Sequence, residues 1–410
     1  MLLPIVPPEF SGAGKRGWRM AQGFADLGVD IKVLTYTSHP VERVPRSFDV
    51  SVVNTWRTWR RDGALRAVPR PLRTAAAAVA TPVVIARHLR GFRADLVYHL
   101  GCDLGPQLAG VAAVFVNRPF IAEATLMGSD DASAVRGARL GALRFALLRR
   151  AAMVVNISPR LEASALRAGL PRDRVCVIPN DVDIAKFQPA SDSERQDLRT
   201  RLGLGKGNPL IVTIGSVVQR KGIVELTREF ARAVLPAFPS ARLVIVGPVP
   251  THPEAQAYVA ELARETSRQA LRDHVALVGE VSDTSPYLRA ADLFAFASRE
   301  EGFGSVIAEA MACGVPIVMR RIEGISEFIL GNVEASAVVD NDADMGPAIV
   351  QLLGSSTTPG VRAALRTRAV EAFSQSVVYG RYVELFESIL TRAPVAGVRS
   401  ARDEHSGRGS

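Results

Sequence analysis

Glu301 and Glu309 stand eight residues apart in "SREEGFGSVIAEAMACGVPIV", separated by Gly302, Phe303, Gly304, Ser305 and the start of an apolar run. Two glycines ahead of a helix let the backbone approach a ligand closely. The helix then opens with unpaired N–H groups, and together these make a seat for an anion such as phosphate. Ser305 is a residue type that caps a helix. Glu309 follows it at i+4 on the same face, so its carboxylate can point back over the helix opening. A carboxylate beside a phosphate is stable where neutral hydroxyls donate to it, and a ribose diol supplies two such donors. Glu301, ahead of the helix, could hold sugar hydroxyls on the far side of the phosphates. The residues alone leave another reading open, in which Glu301 offsets helix-dipole charge and Glu309 is merely solvated.

A second constellation is "GSVVQRKG", where Ser216 follows a glycine at a strand end and Arg220 and Lys221 adjoin at the opening of a helix. In the same crevice these cations would neutralise a diphosphate and the charge that grows on it as it leaves. By themselves they read equally as solvated loop charge. A third is "SGAGKRG", where Gly12, Gly14 and Gly17 fit the G-x-G-x-x-G spacing of dinucleotide sites. The strand "DIKVLTYTS" ends in no acid, which weakens a nicotinamide reading. The six histidines are dispersed and the three cysteines, Cys102, Cys176 and Cys313, lie far apart. That pattern suits a reducing cytoplasm and provides neither a zinc cluster nor a disulfide framework.

These groups need strand ends and helix openings to hold them. Apolar strands alternate with helices in the first 190 residues: "LLPIV", "DIKVLTY", "ADLVYHL", "VAAVFVN" (residues 111–117), "AAMVVNIS" and "RVCVIPN". Residues 131–150 read as one long basic helix. The polar stretch at residues 191–208 reads as a linker, after which the alternation restarts with "LIVTIGSV", "RLVIVGP", "HVALVGEV", "DLFAFAS" and "PIVM". The expectation is an α/β chain of two Rossmann-like domains with mostly parallel sheets, residues 1–190 and 209–375. A last helix at 376–392 and a disordered tail at 393–410 complete it. The N-terminus reads as no secretory signal, and no apolar run reaches the ~20 residues of a membrane span.

Charge is unevenly divided. Residues 1–190 carry 26 Lys and Arg against 15 Asp and Glu, and residues 56–93 hold nine arginines with one acid. Such a field suits anionic lipid head groups, a phosphorylated acceptor or a solvated face. Nucleic acid is disfavoured, since no zinc finger, RNP-like aromatic pair or recognition helix is present.

Taken together, "SREEGFGSVIAEAMACGVPIV", "VIPNDVDIAKFQP", "GSVVQRKG" and "YLRAADLFAFAS" resemble the retaining glycosyltransferases of family 4, the glycosyl transferases group 1, over residues 1–390. The resemblance implies a GT-B fold, two Rossmann-like domains facing a central cleft. It implies a nucleotide-diphosphate sugar as donor, UDP-sugar favoured, with no metal or other cofactor required. It also implies a glycan, lipid-linked or specialised-metabolite acceptor, with peripheral contact to an anionic inner membrane face. By that pattern Glu309 binds ribose, while Glu301 and the amides of Gly302, Phe303, Gly304 and Ser305 hold the donor sugar and distal phosphate. Lys221 neutralises the diphosphate, the Gly12–Gly14 loop faces it from the N-terminal domain, and the last helix crosses back to brace that domain. The D-x-D strings at Asp181–Asp183 and Asp342–Asp344 are not metal motifs in this fold. Two departures stand out. Ser216 replaces a usual arginine, for which Arg220 could compensate. Asn117 stands at the end of the strand read as "VAAVFVN", where relatives often have histidine. These departures motivate the alternative of a nucleotide-sugar-binding protein without turnover. A dehydrogenase or a two-domain epimerase is the remaining enzyme reading.

Overall fold

The computed structural model describes residues 1–3, 12–35, 48–53, 70–102, 104–205, 209–331, 333, 336–355 and 359–392. The arginine-rich residues 56–69, the tail from 393 and most of the first glycine turn's approach lie outside them. The chain divides into two compact units. The first comprises Met1–Glu123, Ala142–Val154 and Gly380–Ser410; the second comprises Ala124–Gly141 and Val155–Tyr379.

Seven strands form one sheet: β1 (Leu2–Leu3), β2 (Lys32–Thr35), β3 (Asp49–Val52), β4 (Val97–Leu100), β5 (Phe120–Ala124), β6 (Met153–Asn156) and β7 (Val175–Val177), in the order β3-β2-β1-β4-β5-β6-β7. Six form the other: β8 (Leu210–Ile214), β9 (Arg242–Val246), β10 (Val275–Gly279), β11 (Leu293–Phe296), β12 (Ile317–Arg320) and β13 (Ser336–Val339), in the order β10-β9-β8-β11-β12-β13. Every neighbouring pair of the second sheet is parallel. Its strands are therefore continuous apolar runs, as in β8 and β11, where every residue is buried. Ile211, Leu243, Ile245, Leu293 and Val318 share one core with Phe230. Each such side chain contributes about 1.5–3 kcal/mol by leaving water. The sequence alternation thus reports the fold class correctly. The strands β3 and β13 escaped it, because neither is fully buried and neither carries a long apolar run.

Two segments differ from expectation. The run read as strand "VAAVFVN" is the second half of helix α3 (Leu104–Phe115), which follows α1 (Gly12–Asp26) and α2 (Arg70–Phe92). A short apolar run cannot by itself distinguish a buried helix from a strand, and its alanines favour helix. Asn117 lies past that helix, exposed, with φ of 53°, a left-handed conformation that asparagine tolerates at helix ends. The "long basic helix" is two helices, α4 (Ala132–Gly137) and α5 (Gly141–Leu148), and α6 (Pro159–Ala168) follows β6. The chain breaks at Leu140, φ 59°, and a Cβ on Gly141 would lie 2.0 Å from the Arg136 carbonyl oxygen.

Within the first unit, Glu123 of β5 is fully buried and gathers donors from three other elements. Arg16 of α1 and Tyr98 of β4 donate to it. Tyr382, from α9 (Gln375–Arg392), does so at 2.5 Å. Burial opposes the Arg16 charge, yet Glu123 holds its pKa well above the ordinary value. Burial first, and Glu123 second, raise both tyrosines. Phe24 and Tyr98 pack edge-on against Tyr382 at 5.6 and 5.8 Å. A single carboxylate thereby ties α1 and the C-terminal helix to two central strands.

His99 of β4 is buried beside this network, stacked on Phe120 at 5.9 Å. Its Nδ1 lies 2.9 Å from the Gly101 carbonyl oxygen, so Nδ1 carries the proton, and Nε2 is buried with no partner among the described residues. Burial lowers its pKa to about 4. The unfolded chain therefore binds more protons between pH 6.5 and 4, and stability present above pH 6.5 is lost as pH falls through that window. Urea unfolding at pH 7.0 and 4.5 should show wild type losing about 2–3 kcal/mol more across this range than His99→Asn. An equal loss in both proteins would mean that His99 is not the group responsible.

Candidate active site

In the second sheet the strand order reverses at the β8–β11 pair, which opens a crevice beyond their carboxyl ends. The loops after these two strands are "GSVVQRKG" and "SREEGFGS", and they are joined along their length. A Cβ on Gly222, at φ 63°, would lie 2.4 Å from the Ala297 carbonyl oxygen, so only glycine permits the approach. The Arg299 N–H donates to the Arg220 carbonyl at 2.8 Å, and the Arg220 guanidinium donates to the Glu300 carbonyl at 2.9 Å. Arg299 itself is pinned by Glu225 of α7 (Ile223–Glu229) at 2.7 Å and Asp342 at 2.6 Å. Arg320 also pairs with Asp342, which commits the first acid of the second D-x-D string to structural ion pairs.

Glu301 sits at the centre, 8% exposed. Its Oε1 receives Lys221 Nζ, the Ser298 hydroxyl at 2.7 Å and, more distantly, Arg220 at 3.4 Å. Its Oε2 has no hydrogen bond among the described residues. The carboxylate is thus fixed through one oxygen and open through the other. Lys221 packs its stem against Gly215 and lies 5.3 Å from the Phe296 ring centroid. Burial lowers its pKa and the Glu301 charge raises it, with burial prevailing, so the ammonium is held below the ordinary lysine value.

Helix α8 (Ser305–Ala312) opens beside this pair. Gly304, at φ 88°, is the N-cap in place of Ser305, and no side chain among the described residues caps the helix. Ser305 is the first helical residue, its Oγ accepting from Asn180 at 2.9 Å. The Ile307 N–H returns to the Gly304 carbonyl, so the amides of Ser305 and Val306 lie ahead of the first turn's bonds. Glu309 is half-buried one turn on, and with burial as the larger cause it pushes the Cys313 thiol up to about 12. Phe303 is buried, edge-on to Phe373 at 5.5 Å, which anchors the loop from below. Gly302 owes its smallness to the protein itself. A Cβ there would lie 2.0 Å from the Thr125 carbonyl oxygen and 3.5 Å from Ile157.

The second unit therefore assembles Arg220, Lys221, Glu301, Gly302–Ser305 and Glu309 around one helix opening, with half-buried Ser216 on the β8 side. Gly12 and Gly14 belong to the first unit, where they form the first turn of α1 rather than a free loop. Asn117 belongs to that unit as well. The ground for treating it as the strand-end residue falls, because the strand ends at Ala124 and Thr125 follows. Ser298, Arg299 and Thr125 were not singled out from sequence. The position of Ser298 and Arg299 directly after β11 was the available signal.

Comparison with known proteins matches residues 11–181 to a glycosyl transferase 4-like domain and residues 208–355 to glycosyl transferases group 1. A D-inositol 3-phosphate glycosyltransferase of Xylanimonas cellulosilytica is 34% identical over 196 residues, 47% of this chain and 45% of that protein. A lipopolysaccharide core biosynthesis mannosyltransferase of Rhizobium meliloti is 31% identical over 193 residues, 47% and 52% of the two chains. The chain spans about half the length of these curated relatives. In fold it is similar to the Anabaena protein HepE in complex with UDP and glucose, with a TM-score of 0.72 and 20% identity over 94% of this chain and 99% of that one.

Proposed function

We propose, from the matches to a glycosyl transferase 4-like domain and to glycosyl transferases group 1 and from a fold of two Rossmann-like domains of the GT-B class, that the chain moves a hexose-type sugar from a nucleotide-diphosphate donor to an acceptor hydroxyl with retention at the anomeric carbon. One observation carries the reading: a buried Lys221–Glu301 pair with Glu301 Oε2 open, set at the uncapped opening of α8. In this reading the Ser305 and Val306 amides and Lys221 take the growing charge of the departing diphosphate. Glu301 Oε2 accepts from donor-sugar hydroxyls and Glu309 from the ribose. The acceptor hydroxyl attacks the same face from which the diphosphate leaves and gives its proton to that diphosphate.

UDP-sugar is the favoured donor, in keeping with the UDP held by the Anabaena protein. The acceptor is a glycan, a lipid-linked intermediate or a specialised metabolite. The basic first half favours an anionic acceptor met by peripheral contact with a membrane; among the described residues no helix is long and apolar enough to cross one. A thermal-shift screen of nucleotide sugars, followed by product analysis with the stabilising donor, tests the proposal. The expected product is a glycoside of unchanged anomeric configuration. A donor that binds without yielding glycoside across a broad acceptor panel would establish the non-catalytic alternative instead.

A further inference from the structure

Lys221 and Glu301 come from different loops, and a second ion pair joins the same two segments with its charges reversed. Arg299, two residues before Glu301, donates from Nη2 to Glu225 Oε1 at 2.7 Å and to Asp342 Oδ2 at 2.6 Å. Glu225 stands in the first turn of α7, four residues after Lys221. Its Oε2 accepts from the Tyr258 hydroxyl at 2.9 Å, and that oxygen in turn accepts from the Val224 N–H at 2.9 Å. Burial first, and Glu225 with it, raise the Tyr258 phenol, so it stays protonated. Asp342, in the short turn after β13, also pairs with Arg320 of β12. The Arg299 guanidinium is therefore tied to α7, to β12 and to the turn after β13, and through Glu225 to the helix Pro253–Thr266.

The two pairs differ in depth. The side chains of Lys221 and Glu301 are each 11% exposed, those of Arg299 and Glu225 32% and 24%. A half-exposed pair adds little to stability by itself. Its effect is geometric, because it fixes how far the loop after β11 stands from α7. That separation matters to Lys221, whose charge is disfavoured by burial first and also by Arg220, and favoured by Glu301. The attraction of Glu301 for Lys221 weakens as the two move apart. Arg299 also acts on Lys221 through space, as one cation on another, and that influence has the opposite sign. Losing the charge alone would favour protonated Lys221, whereas losing the brace disfavours it.

We propose that Arg299 is a positioning residue: by bracing the loop after β11 against α7 through Glu225 and Asp342, it holds Glu301 in contact with Lys221, so that Lys221 meets the donor diphosphate as a cation. This rests on the transferase reading above. Arg299 acts through Glu301 and Lys221 and needs no contact with substrate.

The test reads Lys221 directly. The chain has five lysines, so their side-chain Cε resonances can be followed by NMR in the full chain without ligand, and Lys221 is the signal that Lys221→Arg loses. Arg299→Met keeps an apolar stem and removes the brace. Lys221 should then titrate about one pH unit lower than in wild type, a fall of about tenfold in its protonated fraction on the alkaline side. Arg299→Lys, a cation without the planar fork, should fall between the two. Arg228→Met is the control. It breaks comparable ion pairs from α7 to Glu261 and Glu265, at 2.7 and 2.8 Å, and should leave Lys221 as in wild type. With the best donor from the screen, the alkaline limb of kcat/KM should move with the Lys221 titration in each variant. Lys221 titrating in Arg299→Met at or above its wild-type pH, or falling as far in Arg228→Met, would overturn the proposal. Where Arg299→Met does not fold, Asp342→Asn loosens the same brace and is read in the same way. A shifted titration in a protein that makes no glycoside would instead sink the transferase reading and leave the brace standing.

Discussion

Replacing Lys221 by alanine is expected to lower kcat by roughly two to three orders of magnitude, the usual effect of removing a group that stabilises charge on a leaving oxygen. The variant also leaves the carboxylate of Glu301, 8% exposed in the native chain, with Ser298 and the more distant Arg220 as its partners among the described residues. Glu301→Gln provides the complementary measurement, since it keeps the shape but removes the charge that opposes desolvation of Lys221. Burial already lowers the lysine pKa, and without Glu301 it falls further. Lys221 acts only when protonated, so activity is lost as pH rises through its pKa. The alkaline limb of the kcat/KM profile in Glu301→Gln should therefore move to lower pH than in wild type. Unchanged kcat in Lys221→Ala, or a limb that stays in place in Glu301→Gln, would remove these residues from the donor site.

The second large effect is on stability. Glu123→Ala leaves the buried guanidinium of Arg16 and two buried phenols without their common acceptor. Breaking a buried ion pair from one side costs about 3–5 kcal/mol, which lowers Tm by roughly 10 °C in a unit of this size. Tyr382→Phe removes one donor and leaves the ion pair, so about 1–2 kcal/mol is expected. Denaturant unfolding of both variants decides the matter. A Glu123→Ala cost no larger than that of Tyr382→Phe would mean the carboxylate is not the centre of the network.

The residues that gather at the α8 opening are easier to read from sequence than the elements that hold them. Glu301, Glu309 and the two glycines are chemically conspicuous, and the strand before them is so apolar that its end is unmistakable. Lys221 was legible as a cation at a loop end, but its pairing with Glu301 was not, because that contact spans 80 residues and depends on strand order. Gly302 was assigned to ligand approach, whereas its constraint comes from Thr125, some 177 residues earlier in a loop whose aspartates look like solvated charge. The error at residues 111–117 has a plain cause. Small apolar residues satisfy the burial of a strand and the propensity of a helix equally. Only the left-handed turn at Asn117 and the true strand after it resolve the choice.

The stitching of the two donor-side loops has a kinetic counterpart. Gly222 under Ala297, Arg299 on Arg220, and Arg220 on Glu300 leave little for a ligand to order. In hydrogen–deuterium exchange, the amide of Arg299 should be slow before any nucleotide is added. The amides of Ser305 and Val306, which precede the first helical bonds, should exchange fast when free. On donor binding, protection should therefore rise at one helix end and hardly at all along the seam, as in a lock whose wards are already cut.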